Sequence, residues 1–345
     1  MTTESYDPGP KIAHAGGINI GTPDLEKSLW FFRDLLGMEV TGQEPGVAYL
    51  RGYQEHVHHS LTLTSQAVGA VNTLGFRVGR SQDVELFHDR LTAGGTEVLE
   101  LASGVELGRG TAIRFLVPGA EHPVELYYDI EKPEAPEHLR SNVHGNSSKR
   151  RGLGVQRIDH HNVSTSSETM GEAESWLRSQ LGLRRREYIT AGTPDDQASV
   201  SWLSVNTKLH DIALGSSPDG APGSFHHVAF ALENYNDVLV AADAARDAGV
   251  QIDAGPGIHG VGQSMYLYLR EPGSGQRIEL YAGGYAIFDP DWEPLRWELH
   301  DIAKAVTWVG DLPIMDPETS NYLPSTRTAG LHLDRVSQGS ASATR

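Results

Sequence analysis

The chain has 345 residues, enough for two domains of ordinary size or one duplicated domain. Its 39% hydrophobic and 21% charged residues fit a folded globular protein and exclude collagen-like, coiled-coil and wholly disordered chains. Against 28 Lys and Arg stand 45 Asp and Glu, a formal net charge of −17 that argues against nucleic acid or an anionic membrane as partner; with no cysteine there is no disulfide, iron–sulfur cluster, thiolate zinc site or cysteine nucleophile, so any metal must be held by His, Asp or Glu.

Met1 to Ser5 contains neither the basic nor the apolar run of a secretory signal, and no stretch of about 18 apolar residues follows, so a cytoplasmic protein is expected. The first predicted helix is an amphipathic segment from Asp24 to Leu36, carrying Trp30, Phe31 and Phe32 and closing at Leu36-Gly37-Met38. A matching segment, Glu168 to Leu181 with Trp176, closes at Leu181-Gly182-Leu183, an offset of 145 residues. Val124-Glu125-Leu126-Tyr127 likewise returns as Ile278-Glu279-Leu280-Tyr281, offset by 154. The two halves read as copies.

Within each half, alternating strands flank one helix twice over, which predicts four βαβββ modules near residues 12–65, 71–130, 155–216 and 222–283. The expected fold class is α+β, with two domains (1–130 and 154–283) whose paired modules form curved, barrel-like mixed sheets. A polar, Pro-containing linker, 131–153, joins them, and 284–345 forms a C-terminal lid and tail. The aromatics Tyr285, Phe288, Trp292 and Trp297 make Gly283 to Asp301 either a lid over a cavity or an oligomer contact. Beyond Ser325 the chain is rich in small polar residues and reads as loose or docked on a neighbour.

Sixteen histidines are more than average; most are expected to be surface residues or satisfied core groups, and strand phase sorts them. In Phe225-His226-His227-Val228-Ala229-Phe230, positions 226, 228 and 230 share a face that Val228 and Phe230 mark as core, leaving His227 and Ala229 on the other. By the same rule Ile278 and Leu280 face the core, while Glu279 and Tyr281 face away. Ile158-Asp159-His160-His161-Asn162-Val163 allows either histidine, and partnership with Asn162 favours His160. Two histidines and a carboxylate on a concave polar face supply three ligands and leave open positions, the arrangement suited to non-haem Fe(II). The bland alternative is structural histidines and a salt-bridged Glu279.

These residues, with Leu209-His210-Asp211, Gly257-Ile258-His259-Gly260, Tyr266-Leu267-Tyr268 and Arg277-Ile278-Glu279-Leu280-Tyr281, resemble the type I extradiol ring-cleaving dioxygenases of the vicinal oxygen chelate (glyoxalase/bleomycin-resistance) superfamily. The resemblance implies His160, His227 and Glu279 as metal ligands and His210 as the acid/base beside O2. It implies that Tyr268 and His259 line the catechol oxygens, that Asn162 donates a supporting hydrogen bond and that Trp202 packs near the pocket. Core packing is the competing role for Tyr268 and Trp202. The implied reaction joins a catechol and O2 to give a 2-hydroxymuconic semialdehyde, with Fe(II) as cofactor, Mn(II) as the alternative, and a homotetramer as the common assembly.

Relatives acting on homoprotocatechuate carry arginines near the positions of Ala254 and Lys304-Ala305; their absence here favours an uncharged catechol. The other readings are a homoprotocatechuate-type enzyme, and a glyoxalase-like lyase or isomerase or a ligand-sequestering protein on the same fold. In the first half Glu125 matches Glu279 and His59 matches His210, but Leu74-Gly75-Phe76-Arg77-Val78 has no histidine, and His14 falls short of the first ligand position. One metal per chain is expected. Gly255-Pro256-Gly257-Ile258-His259-Gly260 formally fits a dinucleotide loop, yet a strand follows it and Pro256 lacks an amide hydrogen.

Overall fold

The computed structural model describes residues 9–132, 150–192, 197–216, 222–310 and 323–324. Most of the expected linker, the tail beyond Ser325 and the first eight residues lie outside these.

The first half contains strands β1 (Ile12–Thr22), β2 (Glu39–Glu44), β3 (Val47–Arg51), β4 (Leu61–Ser65), β5 (Ala70–Val78), β6 (Leu99–Leu101), β7 (Ala112–Leu116) and β8 (Pro123–Tyr127). The second contains β9 (Arg157–Thr165), β10 (Arg184–Thr190), β11 (Ala198–Ser204), β12 (Ile212–Ser216), β13 (Ser224–Ala231), β14 (Ile252–Ile258), β15 (Ser264–Arg270) and β16 (Arg277–Gly283). After them come β17 (Leu295–Glu298) and β18 (Leu323–Pro324). The first sheet runs β2-β3-β4-β1-β5-β8-β7-β6. The second runs β14-β15-β16-β13-β9-β12-β11-β10, with β17 added beside β10 and β18 paired to β13. In each module the first and last strands pair parallel, and the two first strands, β1 with β5 and β9 with β13, pair antiparallel at the middle of the sheet. The two halves are thus topological copies.

Helices cover the outer faces because their apolar residues recur at helical spacing. In α2 (Asp83–Ala93) the buried stripe includes Val84, Phe87 and Leu91, in α3 (Met170–Leu181) Met170, Ala173, Leu177 and Leu181, and in α4 (Tyr235–Asp247) Val238, Ala241 and Ala245. Gly182 ends α3 at φ 73°, a conformation that glycine enters without a Cβ clash. The helix expected over Asp24 to Leu36 is α1 (Leu25–Leu29), capped by Asp24, running into a π-helical turn at Trp30–Leu35 that buries Phe31 and Phe32. A short α5 (Ile302–Val306) follows β17.

One apolar cluster runs through both halves. The boundary also carries polar ties: the Ala15 amide donates to Asp211 Oδ1 at 3.1 Å, the Ile158 amide to Glu55 Oε1 at 3.1 Å, and His122 Nε2 to the Ser164 carbonyl at 2.9 Å. Among the described residues no helix is long and apolar enough to cross a membrane.

Candidate metal centre and substrate pocket

Strands β9, β13, β16 and β15 lie side by side in the second sheet. His160 stands opposite Ala229, and His227 opposite Asn162, so the two histidines occupy neighbouring strands two residues apart in register, on the same face. Glu279 pairs with that same Ala229 on one side and with Tyr268 on the other. Alternation then aims all three side chains at one face, while His161 turns to the opposite one, its ring 5.5 Å from that of Phe76 across the domain boundary.

The donor atoms converge. His160 Nε2 lies 2.9 Å and His227 Nε2 3.0 Å from Glu279 Oε2, and the two nitrogens are 3.4 Å apart. Donors at right angles around a divalent ion with bonds of about 2.1 Å stand about 3 Å apart, so this set fits one face of an octahedral ion. Among the described residues no other group of three such side chains converges in this way.

Burial lowers His227 to about 4, leaving a neutral imidazole with a lone pair to give. Burial acts on His160 in the same sense, but hydrogen bonds with Asp159 and Glu279 outweigh it and raise the group to about 9. Burial opposes ionisation of Glu279 too, and the neighbouring histidines overcome it, holding the carboxyl well below its usual range. His160 Nδ1 donates to Asp159 Oδ2 at 3.0 Å, which fixes Nε2 as the nitrogen facing the centre. Behind Asp159 stands Lys208, whose Nζ donates to the Asp159 carbonyl at 2.5 Å and sits 2.9 Å from Asp211 Oδ1.

A cavity of about 260 Å³ opens on this face, lined by the three donors and by Asn162, Trp202, His210, His259 and Tyr268. His210, from the β11–β12 connection, places its ring centroid 3.9 Å from that of His160. Burial first, then the neighbouring His160, keep His210 far below its usual pKa, hence neutral. Tyr268 Oη lies 3.2 Å from His259 Nε2. The remaining wall is mostly apolar, with Val200, Leu209, Val261, Ile302, Ala305 and Val306 beside the hydroxyls of Ser164, Ser216 and Ser264, and among the described residues no Lys or Arg lines the cavity.

Three features differ from the sequence reading. His226 lines the cavity beside His227 instead of packing in the core, because a register shift between Phe225 and His227 breaks the alternation. None of Tyr285, Phe288, Trp292 and Trp297 lines this cavity. Instead β17 docks on β10, and Trp297 Nε1 and Tyr285 Oη both donate to Glu187; the next segment, α5, lines the cavity with Ile302, Ala305 and Val306. Asp159 and Lys208 went unnoticed, although a carboxylate directly before His160 was the available signal for the former.

In the first half, register puts Gly17 where His160 stands, Thr73 where His227 stands and Glu125 where Glu279 stands. The Arg109 guanidinium fills the space between them. It donates to Glu125 Oε1 at 2.5 Å, Glu106 Oε2 at 2.6 Å and His59 Nε2 at 3.0 Å, and lies 4.1 Å from the Tyr127 ring centre. A cation is present there, but it is the chain's own.

A family model described as the Glyoxalase/Bleomycin resistance protein/Dioxygenase superfamily matches residues 11–125 and 157–280. The chain is 42% identical over 309 residues to a manganese-dependent 2,3-dihydroxybiphenyl 1,2-dioxygenase of Geobacillus genomosp. 3, covering 89% of this chain and 96% of that one. It is 32% identical over 324 residues to a metapyrocatechase of Geobacillus stearothermophilus, covering 90% and 93%. The homoprotocatechuate 2,3-dioxygenase of Brevibacterium fuscum, solved as an anaerobic complex with 3,4-dihydroxyphenylacetate, superposes with a TM-score of 0.76 at 27% identity, covering 87% of this chain and 89% of that one. The chain belongs to the Glyoxalase/Bleomycin resistance protein/Dioxygenase superfamily, the vicinal oxygen chelate fold. Within it, the protein is an extradiol ring-cleaving dioxygenase.

Proposed function

We propose that the enzyme cleaves catechols bearing no charge, including those with an apolar substituent, at the bond beside the diol, using Fe(II) or Mn(II) held by His160, His227 and Glu279. The observation that carries the substrate reading is the mostly apolar wall facing the donor set, to which no Lys or Arg among the described residues contributes. A substrate carboxylate buried there would lose its hydration without gaining a cationic partner. At about 260 Å³ the cavity is near the lower end for small-molecule sites, room for one or two rings. Both metals accept imidazole and carboxylate ligands, and the relative named as manganese-dependent supports testing manganese beside iron.

When bound, the metal supplies chelation of the diol and activation of O2. The chain supplies the rest. His210, neutral and buried, accepts a diol proton on its imidazole and returns it as the ring opens, general acid–base work suited to an imidazole. Tyr268 Oη and His259 Nε2 bind and orient the diol edge, and Asn162, across from His227, supports the same wall. Trp202 and the apolar wall orient the ring and exclude water. Both atoms of O2 enter the product, a 2-hydroxymuconic semialdehyde, and one ring C–C bond breaks. No outside reductant is needed.

The test is a substrate panel with enzyme loaded with Fe(II) or with Mn(II): catechol, 2,3-dihydroxybiphenyl and 3,4-dihydroxyphenylacetate. The proposal expects kcat/KM for both uncharged diols to exceed that for the carboxylate by roughly a hundredfold or more. A preference for 3,4-dihydroxyphenylacetate would overturn the substrate assignment.

A further inference from the structure

The Gly255-Pro256-Gly257-Ile258-His259-Gly260 run is not a phosphate loop. It forms the end of β14 and the following turn, and its glycines accommodate α5 and the chain beyond. A Cβ on Gly260 would stand 2.1 Å from the Lys304 carbonyl oxygen, and one on Gly257 would stand 2.6 Å from that of Val309. Backbone hydrogen bonds join the two segments: the Val261 amide donates to Ala305 O at 2.8 Å, the Ile258 amide to Val309 O at 2.6 Å and the Trp308 amide to Ile258 O at 2.7 Å. Ala305, fully buried, packs in a cluster with Trp202 and Val261.

In the middle of this seam, His259 Nδ1 meets the Val306 carbonyl at 2.5 Å, while Tyr266 stacks on its ring at 4.0 Å between centroids, 14° from parallel. A carbonyl only accepts, so Nδ1 carries a hydrogen and, in the neutral ring, the lone pair lies on Nε2. Nε2 is the atom 3.2 Å from Tyr268 Oη.

We infer that α5 is a working part of the site as well as part of its wall: the Val306 carbonyl is a positioning group that sets the tautomer and rotamer of His259, so docking of α5 presents the Nε2 lone pair to Tyr268 and to the diol edge. This rests on the ring-cleavage reading for its catalytic meaning, while the tautomer itself can be tested without turnover.

The first arm uses metal-free protein labelled with ¹⁵N-histidine, with the His259 ring assigned by its loss in His259→Phe. The Nδ1–H tautomer is expected in the native chain, and a mixture of tautomers in Trp308→Pro. That change removes one seam hydrogen bond at a residue 69% exposed, after an already extended Thr307. A native Nε2–H tautomer would overturn the inference. The second arm is a double-mutant cycle on the metal-loaded enzyme. Trp308→Pro, at a residue outside the cavity lining, should lower kcat about tenfold in the native chain but less than twofold in His259→Phe, at unchanged metal content. Equal factors in both backgrounds would show that α5 acts independently of His259, contradicting the inference. If the native enzyme opens no ring at all, the functional reading fails, and the tautomer arm still decides this one.

Discussion

His160 depends on Asp159 for which of its nitrogens faces the cavity. Burial opposes ionisation of the Asp159 carboxyl, but the Lys208 ammonium and the His160 hydrogen bond outweigh it and keep the carboxyl charged. Asp159→Asn should therefore weaken metal binding by about 10–100-fold, read by chelator competition, with the fold retained. His210 is a different case: it touches the pocket and holds no metal position. His210→Phe should keep metal and catechol binding while lowering kcat by about 10²–10⁴-fold; full turnover in that variant would refute the acid–base role. At this scale the sequence was most legible where strand phase decides, as for His227 and Glu279; phase alone left His160 and His161 open, and partnership with Asn162 favoured His160. It was least legible where partners come from distant loops, as with Lys208, which meets Asp159 only once β9 and the β11–β12 connection are adjacent.

Among the elements, β13 shows the limit of counting by twos. One register shift turns His226 toward the cavity beside His227, and no residue in Phe225-His226-His227-Val228 announces it. The aromatic stretch before α5 misled for another reason. Its side chains find polar partners on β10, with Trp297 and Tyr285 on Glu187 and Trp292 Nε1 donating to the Arg186 carbonyl, so they anchor the segment and leave the cavity lining to the smaller Ile302, Ala305 and Val306. Since α5 supplies that wall, its side chains set the room for a ring substituent. Ile302→Trp should lower kcat/KM for 2,3-dihydroxybiphenyl by roughly tenfold or more, while catechol itself stays within about threefold. Equal losses on both substrates would place Ile302 away from the substituent.

For the whole molecule, duplication explains why one half is chemical and the other is not. Gly17 and Thr73 remove two ligands, and the buried Arg109–Glu125–Glu106 cluster occupies the equivalent space. The repeat was visible in the sequence, as was the missing histidine; the guanidinium was not, because Arg109 has no counterpart in the motif that the two halves share. The halves also meet through His122, whose neutral ring donates to Ser164. Burial, against that hydrogen bond, lowers it from 6.5 to about 4. The unfolded chain takes up this proton first as the medium acidifies, so the His122 contribution is complete above pH 6.5 and is lost progressively down to pH 4, roughly 3 kcal/mol in all. His122→Gln, which can donate to the same carbonyl, should flatten the acid side of the urea-midpoint profile by that amount; a profile parallel to the native one would show that His122 does not titrate as described.

The central claim is that the single donor set of the second half opens a catechol ring with O2. The most direct measurement is to load metal-free protein anaerobically with Fe(II) or Mn(II), add catechol, admit air, and follow O2 uptake together with the absorbance of the ring-opened product. One O2 consumed per diol, with yellow product formed only by metal-loaded protein, is the predicted result. Tight metal binding at one ion per chain without O2 uptake on any uncharged catechol would contradict it.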